Sequence, residues 1–174
     1  MWERTFAVDW WGVYYCARAF LPLLIKSPEG VLINTSSVNG FWATLGPGVP
    51  HTAYSTAKFA VKGFSEALIE DLRANAPHVR VVLVMPGHVG TDIIANSLRA
   101  HGMPAADELN AGFRDNAPLS AADAAAIILD GVRSGAWRIL VGEDAKRLDA
   151  AVRANPGAAY DYAELGKALR DEGR

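Results

Sequence analysis

Three short apolar runs limit what this chain can fold into: VLIN at residues 31–34, VRVVLVMPG at 79–87 and WRILVG at 137–142. Each is bounded by turn residues and too short for a buried helix. Each is also continuous rather than alternating, the pattern of a strand covered on both faces. The stretches between them carry helical spacing. Phe6, Val13, Ala17, Phe20, Leu21 and Leu24 recur at three- and four-residue steps, predicting a helix over 3–26 that stops at Ser27-Pro28-Glu29-Gly30, with Pro22 in its last turn. A second helix is expected over 54–75, ending before Pro77. A third starts at Ser120, spaced from Asp123 as in a capping box, and ends in glycine. Residues 38–53, with Gly40, Gly46, Pro47, Gly48 and Pro50, read as loop, and 92–118 as mixed sequence with room for one short helix.

Helix alternating with buried strand is the order of a parallel, doubly wound α/β sheet. Sites in such sheets lie at the carboxyl ends of the strands, here in the loops at 35–53, 86–118 and after Gly142. Two units are expected: a catalytic part over 1–149 and an alanine-rich, charged helical tail over 150–174.

Several classes are disfavoured. A net charge of −2 with 21% charged residues gives no basic surface for nucleic acid. The apolar stretch at 6–25 is broken by Asp9 and Arg18, so no membrane span is expected. A single cysteine, Cys16, cannot form an internal disulfide or a metal site alone, which points to a cytoplasmic protein without metal. The histidines at 51, 78, 88 and 101 do not cluster, and there is no GxSxG elbow for a serine hydrolase. His88 reads as a solvated loop residue, with a place beside substrate as the alternative. Trp10 and Trp11 read as packing residues.

The chemistry-bearing stretch is YSTAKFAVKGFSEAL, at 54–68. Tyr54 and Lys58, at i and i+4, share one helical face. A phenol with a pKa of ~10 is a poor base near neutrality, and a neighbouring ammonium lowers that pKa. The bland reading is a surface tyrosine–lysine pair.

Context points further. INTSSVNG, then YSTAKFAVKGFSEAL, then VMPGHVGTDI, flanked by WWGVYYCARAFLPLL and GAWRILVG, resemble the short-chain dehydrogenase/reductase family over residues 1–149. The resemblance implies a Rossmann-like fold, NAD or NADP as cofactor, and exchange between a secondary alcohol and a ketone. It makes Tyr54 the acid/base and Lys58 the residue that lowers its pKa and holds the nicotinamide ribose. Ser37 would hold the reacting oxygen, with Ser36 as the alternative. Pro86, Gly87, Val89 and Thr91 would contact the nicotinamide carboxamide. Asp9 stands where the family generally has an asparagine supporting a proton relay. Phe41, Trp42 and Ile93, with Ile94 and Leu98, bracket the expected carbonyl and would favour apolar substrates. Packing of Phe41 and Trp42 into the core or a subunit contact is the alternative. The helices at 3–26 and 54–75 are the expected surfaces of a homodimer or homotetramer.

The family opens on a GxxxGxG turn for the pyrophosphate, and no such turn occurs among these 16 glycines. The expectation is a chain truncated to the last three strands, lacking some ~90 to 100 residues at about 30 per βα unit. Its VLIN strand would then have an open edge. A catalytically incompetent fragment, or a cofactor-free dimerisation or binding module, is the competing reading.

Overall fold

The structure is a computed structural model that describes residues 2–46, 48 and 51–171. Pro47 and Pro50, expected in the loop at 38–53, and residues 172–174 of the expected tail lie outside the described residues. Three strands, β1 (Gly30–Thr35), β2 (Val79–Pro86) and β5 (Arg138–Val141), form a parallel sheet in the order β1-β2-β5. Asn34 lies opposite Leu83, and Met85 opposite Leu140. A smaller parallel pair joins β3 (Val89–Gly90) to β4 (Leu119–Ser120).

Alternation along β2 divides the core. Val79 and Val81 pack with Leu68, Leu72 and Ala76 of the long helix α3 (Thr52–Asn75) and its C-terminal cap. Leu83 and Met85 join Val61 of the same helix. Val82 and Val84 face the other way, onto Ala124 of α6 (Ala121–Arg133) and onto Ile139 and Val141 of β5. A strand covered on both faces must be apolar at every position, and Val82, Leu83, Val84 and Met85 are all fully buried. Truncating Leu83 to alanine would cost about 2–5 kcal/mol through lost transfer energy and the cavity left behind.

The expected first helix is one continuous rod with an irregular turn: α1 (Trp2–Phe6), a π-helical turn over Ala7–Trp11, and α2 (Gly12–Lys26). Only Ala17 of α2 is buried. Phe20, assigned to the buried stripe from its spacing, is 57% exposed, because the rod meets the sheet along a stripe through Val13, Ala17, Leu21 and Leu24 that leaves Phe20 at its flank. Trp10 packs against Phe64 and the core, whereas Trp11 is exposed.

The region 92–118 holds two helices rather than one, α4 (Ile93–Ala100) and α5 (Asp107–Asp115). The start of α4 is capped from a distance: Asn110 Oδ1 accepts from Ala95 N at 3.0 Å, while Asn110 Nδ2 donates to Asp92 at 2.9 Å. α6 begins as its sequence predicts, with Ser120 Oγ accepting from Asp123 N and donating to the Asp123 carboxylate. Beyond β5, α7 (Glu143–Ala154) runs unbroken across residues 149 and 150, and α8 (Tyr162–Asp171) follows. No helix among the described residues is long and apolar enough to cross a membrane.

Candidate active site

β1 delivers Ser36 and Ser37 to the carboxyl edge of the sheet. The two serines do different work. Ser36 Oγ donates to the Lys58 carbonyl at 2.7 Å and so ties the end of β1 to α3. Ser37 is extended and caps the short turn Val38–Gly40, its hydroxyl accepting from Asn39 N at 3.2 Å. The Ser37 side chain also stands close enough to Tyr54 to favour its ionised form. Gly40 allows the close approach of this turn to α3: a Cβ there would meet Ser36 Oγ and lie 2.9 Å from the Lys58 carbonyl.

α3 begins one residue after His51, which occupies the N-cap position without a side-chain capping bond. The His51 ring instead packs 4.8 Å from that of Tyr54, and burial lowers its pKa, keeping the imidazole neutral near pH 7. One turn on, the buried Lys58 ammonium lies 5.3 Å from the Tyr54 ring centroid and donates to the Thr35 carbonyl at 3.3 Å. The π-helical turn aims Asp9 into the same place, 3.1 Å from Lys58 Nζ. A π turn inside an α-helix redirects a side chain that regular winding would point elsewhere.

Burial, and with it this ion pair, changes the electrostatics expected of Tyr54. Its pKa is pushed up to about 12, first by burial and further by the Asp9 charge, against the Ser37 side chain that pulls it down. The lowered phenol pKa anticipated from the lysine spacing is therefore reversed, chiefly because burial disfavours the phenolate, with the Asp9 charge beside Lys58 adding to it.

The turn after β2 sits on the same edge. Gly87 N donates to the Val141 carbonyl at 3.0 Å, and His88 N donates to the Asp144 carboxylate at 2.6 Å. Gly87 has no room for a Cβ, since the Asp144 carboxylate fills that space. Val89 pairs with Leu119, and Thr91 is half-buried before α4. His88, read from sequence as solvated loop, is half-buried: its Nε2 meets the Phe113 carbonyl at 2.7 Å and its ring packs on Phe113.

The structure thus brings Asp9, Ser37, Tyr54 and Lys58 together and leaves other candidates apart. Phe41 packs on the cluster of Val61, Leu83 and Met85, with Arg138 over its ring at 5.6 Å. Trp42 Nε1 donates to the Ala159 carbonyl at 2.7 Å. Ile93, on α4, is 44% exposed. Asn39 carries no mark in the sequence, and His51 enters it only as one of four unclustered histidines, because neither lies in the tyrosine–lysine pattern. A cleft of about 180 Å³ lined by Ile69, Arg73, Val81 and Trp137 lies at the opposite, amino-terminal edge of the sheet, and has no part in this chemistry.

A parallel α/β sheet with serine, tyrosine and lysine gathered at its carboxyl edge is a Rossmann-like arrangement. The short chain dehydrogenase profile matches residues 1–101, and the chain belongs to that family. It is 39% identical over 153 residues to the putative oxidoreductase SadH of Mycobacterium tuberculosis, covering 87% of this chain and 53% of the relative. A 3-ketodihydrosphingosine reductase of Bacteroides thetaiotaomicron is 38% identical over 89 residues, 51% of this chain and 30% of that protein. Among solved structures, a short chain dehydrogenase/reductase from Burkholderia phymatum in complex with NAD superposes with a TM-score of 0.71 at 25% identity, over 95% of this chain and 59% of the other. A short chain dehydrogenase from Burkholderia cenocepacia in complex with NADP shares the fold, with a TM-score of 0.65 at 24% identity over 91% and 56% of the two chains. The chain spans about half the length of the SadH relative.

Proposed function

We propose that this chain carries the proton-transfer half of an NAD- or NADP-dependent oxidoreductase that interconverts a ketone and a secondary alcohol, and that Tyr54 works chiefly as a proton donor. The observation that carries this reading is the convergence of Ser37, Tyr54 and Lys58 with Asp9 ion-paired to the lysine. A phenol with a raised pKa holds its proton through neutral pH, which is the form that protonates a developing alkoxide.

The donor set fits the nicotinamide end of such a cofactor. Of the three N–H groups on Lys58, one is directed at Asp9 and one at the Thr35 carbonyl, leaving a third for a ribose hydroxyl. Pro86, Gly87, Val89 and Thr91 are the residues that would line the carboxamide. The adenosine and pyrophosphate find no glycine-rich cradle within these 174 residues. When bound, the nicotinamide supplies the hydride to the carbonyl carbon. Ser37 holds the carbonyl oxygen by a hydrogen bond, and Tyr54 Oη–H gives that oxygen its proton. Lys58 holds the ribose and, with its charge answered by Asp9, leaves Tyr54 protonated for the reduction. In the reverse direction Tyr54 must first lose its proton, so alcohol oxidation rises with pH.

The outer face of the first helical rod supports self-association, with Tyr15, Phe20 and Leu23 between 57% and 61% exposed and Phe59 of α3 at 40%. A homo-oligomer would cover them. The exposed free thiol of Cys16 suits a reducing, cytoplasmic setting.

Chemical-shift mapping with reduced nicotinamide mononucleotide tests the site. Shifts at Tyr54, Lys58 and residues 86–91 that vanish in Lys58→Ala are expected; shifts confined to other surfaces would refute the assignment.

A further inference from the structure

We propose that the C-terminal segment from Asn155 to Tyr162 is a strap that positions Ser37, with Tyr160 and Tyr162 as its positioning residues acting through the loop at 42–44. The proposal rests on the reading of Ser37 and Tyr54 as the reacting pair.

The connection runs through named bonds. Asn39, next but one to Ser37, is buried and donates its backbone N–H to Ser37 Oγ. Its side-chain Nδ2 donates twice, to the carbonyls of Trp42 at 3.0 Å and Thr44 at 2.9 Å, so the 42–44 loop is wrapped around the residue that fixes the serine. The outer side of the same loop is held by the C-terminal segment. Trp42 Nε1 donates to the Ala159 carbonyl at 2.7 Å, Ala43 N donates to Tyr160 Oη at 3.1 Å, and Thr44 Oγ1 shares a hydrogen bond with Tyr162 Oη at 3.0 Å. The Trp42 and Tyr162 rings meet edge to face.

The strap has a fixed base. In α7, the buried Asp149 receives both terminal nitrogens of Arg138 from β5, at 2.9 and 2.6 Å, and Arg138 lies over Phe41 at the root of the loop. The Asn155 side chain accepts from Ala158 N and shapes the turn that follows. Ala159 is buried, which pins the segment beside Trp42.

The two tyrosines contribute position more than burial. Tyr160 is 54% and Tyr162 42% exposed, yet both hydroxyls are spent on the loop. Exposed hydrogen bonds are individually weak, so this strap opens more readily than the core. Small displacements at a reacting group have large consequences for rate.

The test is the double variant Tyr160→Phe/Tyr162→Phe, which keeps both rings and deletes both hydroxyls, read by amide exchange and by the 13Cζ signal of Tyr54. Thr44→Val, which removes one partner from the loop side, guards against a folding defect in the double variant, and Tyr15→Phe is the control. The expected result is melting close to wild type, exchange at Asn39, Trp42 and Ala43 faster by about tenfold or more, and a displaced Tyr54 signal. Faster exchange confined to Ala43 and Thr44, with Asn39 and Tyr54 unmoved, would overturn the strap, as would unchanged exchange throughout. Neither readout needs cofactor or turnover, so the strap and the proposed reaction fail independently.

Discussion

Replacing Asp9 by asparagine removes the carboxylate 3.1 Å from Lys58 Nζ while keeping its shape. The Lys58 ammonium stays 5.3 Å from the Tyr54 ring centroid, and what is lost is the Asp9 charge that helps to raise the phenol pKa, so that pKa should fall. Burial, the largest cause of the raised value, is unchanged and solvent reaches Asp9, whose side chain is 22% exposed, so a fall of under about one unit from the present value of about 12 is expected. With tyrosine labelled at 13Cζ and Tyr54 identified from Tyr54→Phe, the wild-type signal should hold its phenol position through pH 10, and the variant signal should leave it at lower pH than the wild type. The same change should move the rise of alcohol oxidation to lower pH. Identical titrations in the two proteins would refute the claim that Asp9 governs the proton on Tyr54.

Other substitutions probe the frame. Asp149→Ala leaves the Arg138 guanidinium buried without its partner and should cost about 3–5 kcal/mol in chemical unfolding. Burial pushes the Asp149 carboxyl up, but hydrogen bonds and charge from Arg138 and Arg153 outweigh it and leave the pKa below its ordinary 3.8. The stability this pair supplies should therefore be present above about pH 4 and lost as pH falls through the lowered pKa, a loss absent in Asp149→Ala. Tyr54 acts at the alkaline end: stability present below about pH 10 should decline toward 12, less steeply in Tyr54→Phe. Gly40→Ala drives a methyl against Ser36 Oγ and the Lys58 carbonyl, and should cost about 1–3 kcal/mol in thermal melts while disturbing the Tyr54 signal.

What the sequence made legible was local. The buried runs at 79–87 and 137–142 became β2 and β5 because a strand covered on both faces has no polar alternation to confuse it. The i, i+4 spacing placed Tyr54 and Lys58 on one face of α3 because helical geometry depends only on sequence separation. What escaped the reading depends on contacts between distant residues. α4 is started by Asn110, far along the chain from its first turn, so no local capping pattern announces it. The resemblance had already put Asp9 beside Lys58, but the π turn that carries it there has no compositional mark, and the burial that raises the Tyr54 pKa depends on packing from distant segments. Trp42 stood beside a serine loop in sequence, yet its indole is satisfied by Ala159, more than a hundred residues away.

The most direct test of the account is turnover of a ketone at millimolar NADPH or NADH by the wild-type chain and by Tyr54→Phe, folded to the same extent by circular dichroism. Alcohol should form in the wild type, and its rate should fall by about 10²–10⁴ when the phenolic proton is removed. Equal rates in the two proteins would contradict it.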